Sequence, residues 1–348
     1  MISKSTVLVI GAGGSAAFGL PTGPRLKQQI IRYLDPTLNN QPSVIKRIPR
    51  EERSKELNNG KAVYDAVASV ITETVDKSTG APVNEIIQQQ LLSFVGKFRF
   101  SGQPTIDAFL EKRPDLAHTG KAAIAACLLL QQDRQKLFSG AVGDYQPNWY
   151  EYLFYRLSEY AISEDDFRQN RVKVVTFNYD NSLEYFLQVA LENTYDLSSR
   201  NAVKLRESAI PICHVYGMLT PKAHFEAPLN AESVRSAVEN IVVINNGEFS
   251  ERDGSSEEFT RAREWLNNCE RIVFVGFGFD PTNLKRLGLE KIPTHRKIYC
   301  TTHGLNDQVI ETRVKAPLLP LVISDTSLHL DSKKDVVPQA LENLGALD

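Results

Sequence analysis

The sequence predicts an α/β protein built on a doubly wound, Rossmann-like parallel sheet that carries an inserted helical domain. Three observations lead to this prediction. A short apolar strand runs directly into a glycine-rich loop, strand signals then almost vanish until about residue 168, and strands and helices alternate after that point. We expect residues 1–34 and 168–348 to form the Rossmann-like domain and residues 35–167 to form the helical insert.

The first strand is predicted at residues 6–10, Thr-Val-Leu-Val-Ile, because β-branched apolar runs of this kind are typical of buried parallel strands. The loop Gly11-Ala-Gly-Gly-Ser-Ala16 follows at once and satisfies the G-x-G-x-x-A pattern. Bare backbone in such a loop lets a pyrophosphate approach N–H groups at the positive end of the next helix. A tight structural turn is the alternative explanation of these glycines.

A hydride-transfer Rossmann domain would continue with a second strand that ends in an acidic residue about 20 residues after the loop. Here a helix is predicted instead, ending at Leu34-Asp35-Pro36, and the next strand begins only at Val172. This arrangement disfavours a dehydrogenase. The intervening segments at 62–71, 85–95 and 122–129 carry helical periodicity.

Strands and helices alternate in the second half of the chain, as expected for a parallel sheet. The strands are predicted at 172–177, 210–216, 241–244, 272–275 and 297–300. The helices between them are predicted at 181–191, 257–269 and 281–289. The polar stretches 198–206 and 246–256 are predicted to be surface loops.

Composition excludes several classes of function. Lysine and arginine total 40 against 42 aspartates and glutamates, so the net charge of -2 gives no reason to expect direct nucleic-acid binding. No apolar run approaches the roughly 20 residues of a membrane span, and no signal segment precedes the first strand, so we expect a cytoplasmic protein without membrane contact.

The cysteines give no sign of a metal site. The four of them lie far apart in the sequence and none has C-x-x-C spacing. We therefore expect buried free thiols and no zinc or other metal. These cysteines are Cys127, Cys213, Cys269 and Cys300.

The opening loop resembles a motif of the sirtuin superfamily. Gly11-Ala-Gly13 with Ser15, followed by Gly19-Leu20-Pro21, is similar to that superfamily's G-A-G-x-S…G-I-P. Sirtuins proper continue with Asp-Phe-Arg, whereas this chain has Thr22-Gly23-Pro24. The Pro-Thr-Gly continuation resembles bacterial sirtuin-like proteins of antiphage defence.

Later segments carry the same resemblance in the family's order. Thr176-Phe-Asn-Tyr-Asp180 is similar to T-x-N-x-D, and Val275 to Asn283 is similar to G-x-G-F-x-D…N. Pro211 to Gly217 resembles the His-containing strand end, but Tyr216 occupies the position directly before the glycine, and His214 lies two residues earlier. The segment 104–110 also resembles the defence branch, and the likeness extends to about residue 305.

The resemblance implies cleavage of the bond between nicotinamide and ribose in NAD+. It implies that Asn178 positions water or ribose, that Asp180 recognises the carboxamide and that His214 is the proton acceptor. The residues that it implies for NAD+ binding are Gly11, Ala12, Gly13, Ser15, Pro21, Thr22, Gly276, Gly278, Asp280 and Asn283. Thr301 or Thr302 is expected near the adenosine.

Each of these assignments has a structural alternative. Asn178 and Asp180 are of types that cap helices, and a helix is predicted to start near Asn181. The alternative for His214 is a buried histidine whose hydrogen bonds are all made within the protein. Tyr216 would then take its position in the site. Asp107 would either brace the pocket or be a carboxylate in the first turn of a helix capped by Thr105.

The sequence therefore predicts an NAD+ glycohydrolase (an NAD+ nucleosidase) that releases nicotinamide and ADP-ribose and acts in abortive antiphage defence by NAD+ depletion. An NAD-dependent protein deacylase is an alternative that the missing four-cysteine zinc module disfavours. A non-catalytic NAD or ADP-ribose sensor is another. The family resemblance further implies a homo-oligomer and a separately encoded ATPase or other defence partner.

Overall fold

A computed structural model provides the fold of the chain. It describes residues 1–39, 49, 51–74, 82–138, 148–220, 225–243, 257–292, 296–322, 327–331 and 337–348.

The described residues form a six-stranded sheet whose paired strands are all parallel, in the order β3-β2-β1-β4-β5-β6. Every residue of β1 and β4 is buried, because both faces of a doubly wound parallel sheet are covered. This architecture confirms the predicted fold class. The strands are β1 Thr6–Ile10, β2 Val172–Thr176, β3 Ile212–His214, β4 Arg271–Val275, β5 Lys297–Cys300 and β6 Leu328–Leu330.

The helices fall in the intervals between strands and in the long segment between β1 and β2. Those before β2 are α1 Ala12–Ser15, α2 Gly23–Leu34, α3 Pro36–Asn39, α4 Arg53–Ile71, α5 Val83–Phe100, α6 Ile106–Leu110, α7 Ala117–Leu129, α8 Trp149–Ser158 and α9 Glu164–Phe167. Those after β2 are α10 Ser182–Tyr195, α11 Ser199–Ala209, α12 Ala231–Asn240, α13 Glu257–Asn267, α14 Pro281–Leu287, α15 Asp307–Val309, α16 Ala316–Leu318 and α17 Val337–Asn343.

Two local predictions are wrong, and one strand was missed. The predicted loop 198–206 is largely helix α11, whose N-cap Ser198 accepts a hydrogen bond from the Asn201 N–H. Residues 241–243 form no strand, and Ile241 makes only an isolated antiparallel bridge with Gly217. Strand β6 was not predicted. Residue 244 and the predicted loop 246–256 lie outside the described residues.

The chain divides into two compact units, and the division differs from the predicted one. The first unit comprises Met1–Gly19, Asp133–Val215 and Ser255–Asp348, and the second comprises Leu20–Gln132 and Tyr216–Gly254. Helix α2 joins the second unit because it packs against α4, α5 and α7. Helix α8 instead packs against α10 and α17, which places it with the sheet.

The second unit is built around α7, which is buried from Ala122 to Leu129 on all sides. It contacts α4 and α12, so the segment after β3 completes this helical unit.

All four cysteines are buried free thiols, as predicted. Burial raises the pKa of each thiol, that of Cys213 to about 11. Within the described part of the chain, no helix is both long and apolar enough to cross a membrane.

Candidate functional site

Four strand ends that carry predicted site residues lie at one edge of the sheet. Ile10 pairs with both Thr176 and Val275, and Thr176 pairs with His214. The residues that follow these strands therefore share the carboxyl edge, where open α/β sheets bind ligands. The predicted residues from β1, β2, β3 and β4 all belong to the first unit.

The loops after β1 and β4 meet backbone to backbone, and we call this meeting the glycine contact (Gly11–Gly14 against Val275–Phe277). The Gly11 N–H donates to the Val275 carbonyl at 3.0 Å, and the Gly13 N–H donates to the Gly276 carbonyl at 2.9 Å. A Cβ atom on Gly11 or Gly13 would lie 2.8 or 2.7 Å from the Gly276 oxygen. The glycine contact thus requires both glycines without any ligand.

This packing occupies the backbone N–H groups that the predicted phosphate cradle requires. The N–H groups of Gly11 and Gly13 already have protein acceptors, and the Gly14 N–H donates to the Gly11 carbonyl at 2.9 Å. The helix after the loop is a single turn, Ala12–Ser15, followed by 3₁₀ geometry at Ala16–Phe18. The structural alternative therefore accounts for Gly11 and Gly13, and the long helix that would hold a pyrophosphate is absent from this part of the described chain.

The segment after β4 contains two glycines in different situations. Gly276 has φ +56°, and a Cβ there would lie 2.0 Å from the Gly14 nitrogen. Gly278 is exposed, and a Cβ there would meet no atom within 4 Å in the described structure. Asp280 caps α14, where its carboxylate accepts hydrogen bonds from the Thr282 and Asn283 N–H groups. Gly278 is the one of these two glycines that packing does not explain.

Asn178 lies at the centre of a buried polar group that we call the Asn178 cluster (Ser15, Tyr150, Asn178, Asp180 and Ser182). Its Nδ2 donates to Ser15 Oγ at 2.9 Å and to the Gly11 carbonyl at 3.2 Å. Its Oδ1 is buried and has no hydrogen-bond partner among the described residues. A buried acceptor without a partner is costly, so this oxygen is open to a further donor such as a water molecule or a ligand hydroxyl.

Asp180 links the Asn178 cluster to the start of α10. Its Oδ1 accepts hydrogen bonds from the Ser182 N–H at 3.2 Å, from the Ser182 hydroxyl, and from Ser15 Oγ at 3.4 Å. Burial raises the pKa of Asp180, and the hydrogen bonds from Ser182 offset part of this rise. The Tyr150 hydroxyl lies 2.7 Å from Ser182 Oγ. Asp180 therefore holds the first turn of α10, as its structural alternative expects, while Asn178 does not.

His214 is buried and both of its ring nitrogens face protein acceptors. Nδ1 lies 3.0 Å from the Asn178 carbonyl oxygen and Nε2 lies 2.5 Å from Glu184 Oε1. Burial opposes charge on the ring, but the Glu184 carboxylate prevails and raises the pKa of His214. Neither nitrogen can take a proton from a substrate in this arrangement, so the geometry argues against His214 as the base.

Sequence reasoning missed Glu184, Trp149 and Tyr150. Glu184 is the third residue of α10, a position where an acidic side chain is usually explained by the helix dipole. Trp149 donates from Nε1 to the Gly14 carbonyl at 2.7 Å. Trp149 and Tyr150 begin helix α8, and the sequence contained a signal for its start, because Asn148 and Glu151 form a capping box there.

The remaining predicted residues are distributed between the units. Pro21, Thr22, Tyr216 and Asp107 belong to the second unit. Asp107 lies in the first turn of α6, and Thr105 caps this helix, as the structural alternative for Asp107 expects. In the first unit, Thr301 Oγ1 accepts a hydrogen bond from the Gly276 N–H at 2.8 Å.

No protein-family model and no curated protein matches this chain. The sirtuin-like resemblance therefore rests on the quoted motifs. The described residues contain no cluster of three or more His, Cys, Asp and Glu side chains that could hold a metal ion.

Proposed function

We propose that this protein is an NAD+ glycohydrolase that releases nicotinamide and ADP-ribose. The observation that carries the proposal is the buried Asn178 Oδ1, which lacks a partner among the described residues at the carboxyl edge of the sheet. Its amide nitrogen is held by Ser15 and Gly11, so the oxygen has a fixed direction. An oriented acceptor of this kind suits a water molecule or a ribose hydroxyl.

The reaction asks little of the protein beyond orientation. The bond from C1′ to the nicotinamide nitrogen breaks, and its electron pair turns the charged ring into neutral nicotinamide. Water then forms a bond to C1′ of the oxocarbenium-like ribose, and its proton passes to solvent. Because the leaving group needs no protonation and the electrophile is reactive, a preorganised Asn178 is a sufficient acceptor for the attacking water.

The test is nicotinamide release from NAD+ by purified wild type and by Asn178→Ala. We expect the variant to lose about 100-fold or more of the rate, because an oriented polar group in a buried site typically contributes this much. Asn170→Ala is the matched control. Asn170 is also a buried asparagine of the first unit, but it lies before the opposite end of β2, and its side-chain amide bonds to Ile2, Leu157 and Phe167.

Asn170→Ala should lower stability and leave the rate of the folded protein unchanged. Equal losses in the two variants would show that Asn178 matters only for folding, and no release by the wild type would refute the hydrolase. A second candidate, an NAD or ADP-ribose sensor, is favoured by the engagement of both His214 nitrogens. NAD+ binding by the wild type without nicotinamide release would support it.

We further infer from the resemblance that NAD+ depletion serves antiphage defence. Bacteria that express the wild type should lose NAD+ and yield fewer phage after infection, whereas cells with Asn178→Ala should do neither. The homo-oligomer and the separately encoded ATPase partner stay predictions, which size-exclusion chromatography and co-purification would test.

A further inference from the structure

We propose that Glu184 is a positioning residue of this site, which holds His214 as an imidazolium that fixes the backbone carbonyl of Asn178. The effect on turnover rests on the proposed function. The clamp itself, defined here as Glu184, His214 and the Asn178 carbonyl, does not.

The first step is the protonation of the ring. A backbone carbonyl can only accept, so Nδ1, at 3.0 Å from the Asn178 oxygen, carries a hydrogen. Nε2 faces Glu184 Oε1 at 2.5 Å, and an ionised carboxylate can only accept, so a hydrogen on Nε2 makes this contact a charge-assisted hydrogen bond. An imidazole that donates from both nitrogens is a cation, and Glu184 supplies its counter-charge.

The second step is the electrostatic setting of the pair. Glu184 lies in the first turn of α10, where the helix dipole favours an anion. Among the described residues, Arg206 on the neighbouring α11 acts on Glu184, and Asp180 on the loop before α10 acts on His214. Burial disfavours the Glu184 carboxylate, but His214 and then Arg206 outweigh it and lower its pKa. Each partner therefore favours the charged form of the other.

The third step links the clamp to Asn178. The Asn178 N–H donates to Thr176 Oγ1 at 3.1 Å, its carbonyl accepts from His214, and Nδ2 is held by Ser15 and Gly11. Within the described structure, Oδ1 is thus the one polar atom of Asn178 that the protein leaves open. Its direction depends on the clamp, so Glu184 acts on the site through His214.

The clamp and a histidine base predict opposite responses to pH. A general base works once it is deprotonated, so the rate would rise as pH increases through the pKa of His214. The clamp works while the ring is protonated, because loss of the Nε2 proton sets a lone pair against the Glu184 carboxylate. We therefore expect nicotinamide release to fall as pH rises through that raised pKa.

The variants are Glu184→Gln and Glu184→Ala, with Glu192→Gln as the control on the same helix. Glutamine keeps a hydrogen-bond partner for Nε2 and should retain most of the rate, without the fall at high pH. Alanine should lower kcat by about 100-fold with little change in KM, the size expected for a displaced catalytic group. Glu192→Gln should match the wild type in both respects.

Nitrogen NMR of the His214 ring, with its signals assigned by the His214→Gln variant, tests whether the clamp holds a doubly protonated ring, and it does so independently of turnover. We expect wild-type His214 to keep hydrogens on both nitrogens up to a higher pH than Glu184→Gln, because the variant lacks the carboxylate that raises the pKa of the ring against burial. An Nε2 without hydrogen in the wild type, or a rate that rises through the pKa of His214, would overturn the proposal. Doubly protonated His214 without any nicotinamide release would refute the proposed function and leave the clamp standing.

Discussion

The loops after β1 and β4 and the loops after β2 and β3 share one edge of the sheet, but their motif residues have different kinds of contacts. In the glycine contact, Gly11 and Gly13 donate to carbonyls of the β4 loop, and added side chains would strike backbone. In the Asn178 cluster, the side chains form a connected network, and Asn178 Oδ1 is a buried acceptor in it without a partner among the described residues.

This difference separates two meanings of a motif match. Where another loop occupies the space beside a glycine, the fold alone explains the glycine, whatever the protein binds. The contacts of the described residues do not account for an oriented polar atom that none of them satisfies, and such an atom is open to water or a ligand. The case for NAD+ therefore rests more on Asn178 than on the G-x-G-x-x-A loop that first suggested a nucleotide.

The largest expected effect comes from Gly276→Ala. Residue 276 has positive φ, and its added Cβ would lie 2.0 Å from the Gly14 nitrogen. Because the obstacle is backbone, the two loops must separate, and we expect a loss of about 4 kcal/mol or more in the free energy of unfolding. Urea unfolding followed by circular dichroism measures this loss.

Gly278→Ala is the matched control within the same motif. Its added Cβ meets no atom within 4 Å in the described structure, so stability should change by less than about 0.5 kcal/mol. If NAD+ lies against this bare backbone, the variant should bind NAD+ more weakly, which calorimetry in an Asn178→Ala background would detect. Similar losses of stability in Gly276→Ala and Gly278→Ala would contradict the conclusion that packing explains Gly276 but not Gly278.

The sequence predicts the elements whose signal is local. Strands β1, β2 and β4 are apolar β-branched runs, and their ends place Asn178 and the glycine loops at one edge. Strand β6 is only partly buried and too short to show alternation, and the polar sequence of α11 conceals a buried face that includes Leu205. The partner of His214 could not be predicted, because the Glu184 contact depends on how α10 lies against β3.

A smaller effect is expected from the charges of the clamp. His214 lowers the pKa of Glu184 although burial opposes this. The contribution of Glu184 to the free energy of unfolding is therefore full above the ordinary pKa of 4.5 and is lost as pH falls through the lowered pKa. The pKa of His214 is raised, so its contribution is full below 6.5 and is lost as pH rises through the raised pKa. The pair therefore stabilises the fold most between pH 4.5 and 6.5.

The measurement is the free energy of unfolding of the wild type minus that of Glu184→Gln across this range. We expect a difference of about 2 to 3 kcal/mol at pH 5.5, since one partner of a buried ion pair loses its charge, and a smaller difference at both extremes. Glu192→Gln on the same helix should give a flat profile. A flat profile for Glu184→Gln as well would mean that the clamp carries no charge.

The smallest expected effect is that of Trp149→Phe, which tests how the glycine contact is held from its other side. Trp149 Nε1 donates to the Gly14 carbonyl at 2.7 Å, and its ring is fully buried. Phenylalanine keeps an aromatic ring there but leaves the carbonyl without this donor, so we expect a loss of about 1 to 2 kcal/mol. Trp265→Phe on the partly buried face of α13 is the control, with an expected change below about 0.5 kcal/mol. Because Gly11 and Gly13 still donate to the β4 loop, nicotinamide release per folded molecule should be unchanged. A large loss of release would mean that the loop after β1 also positions the substrate.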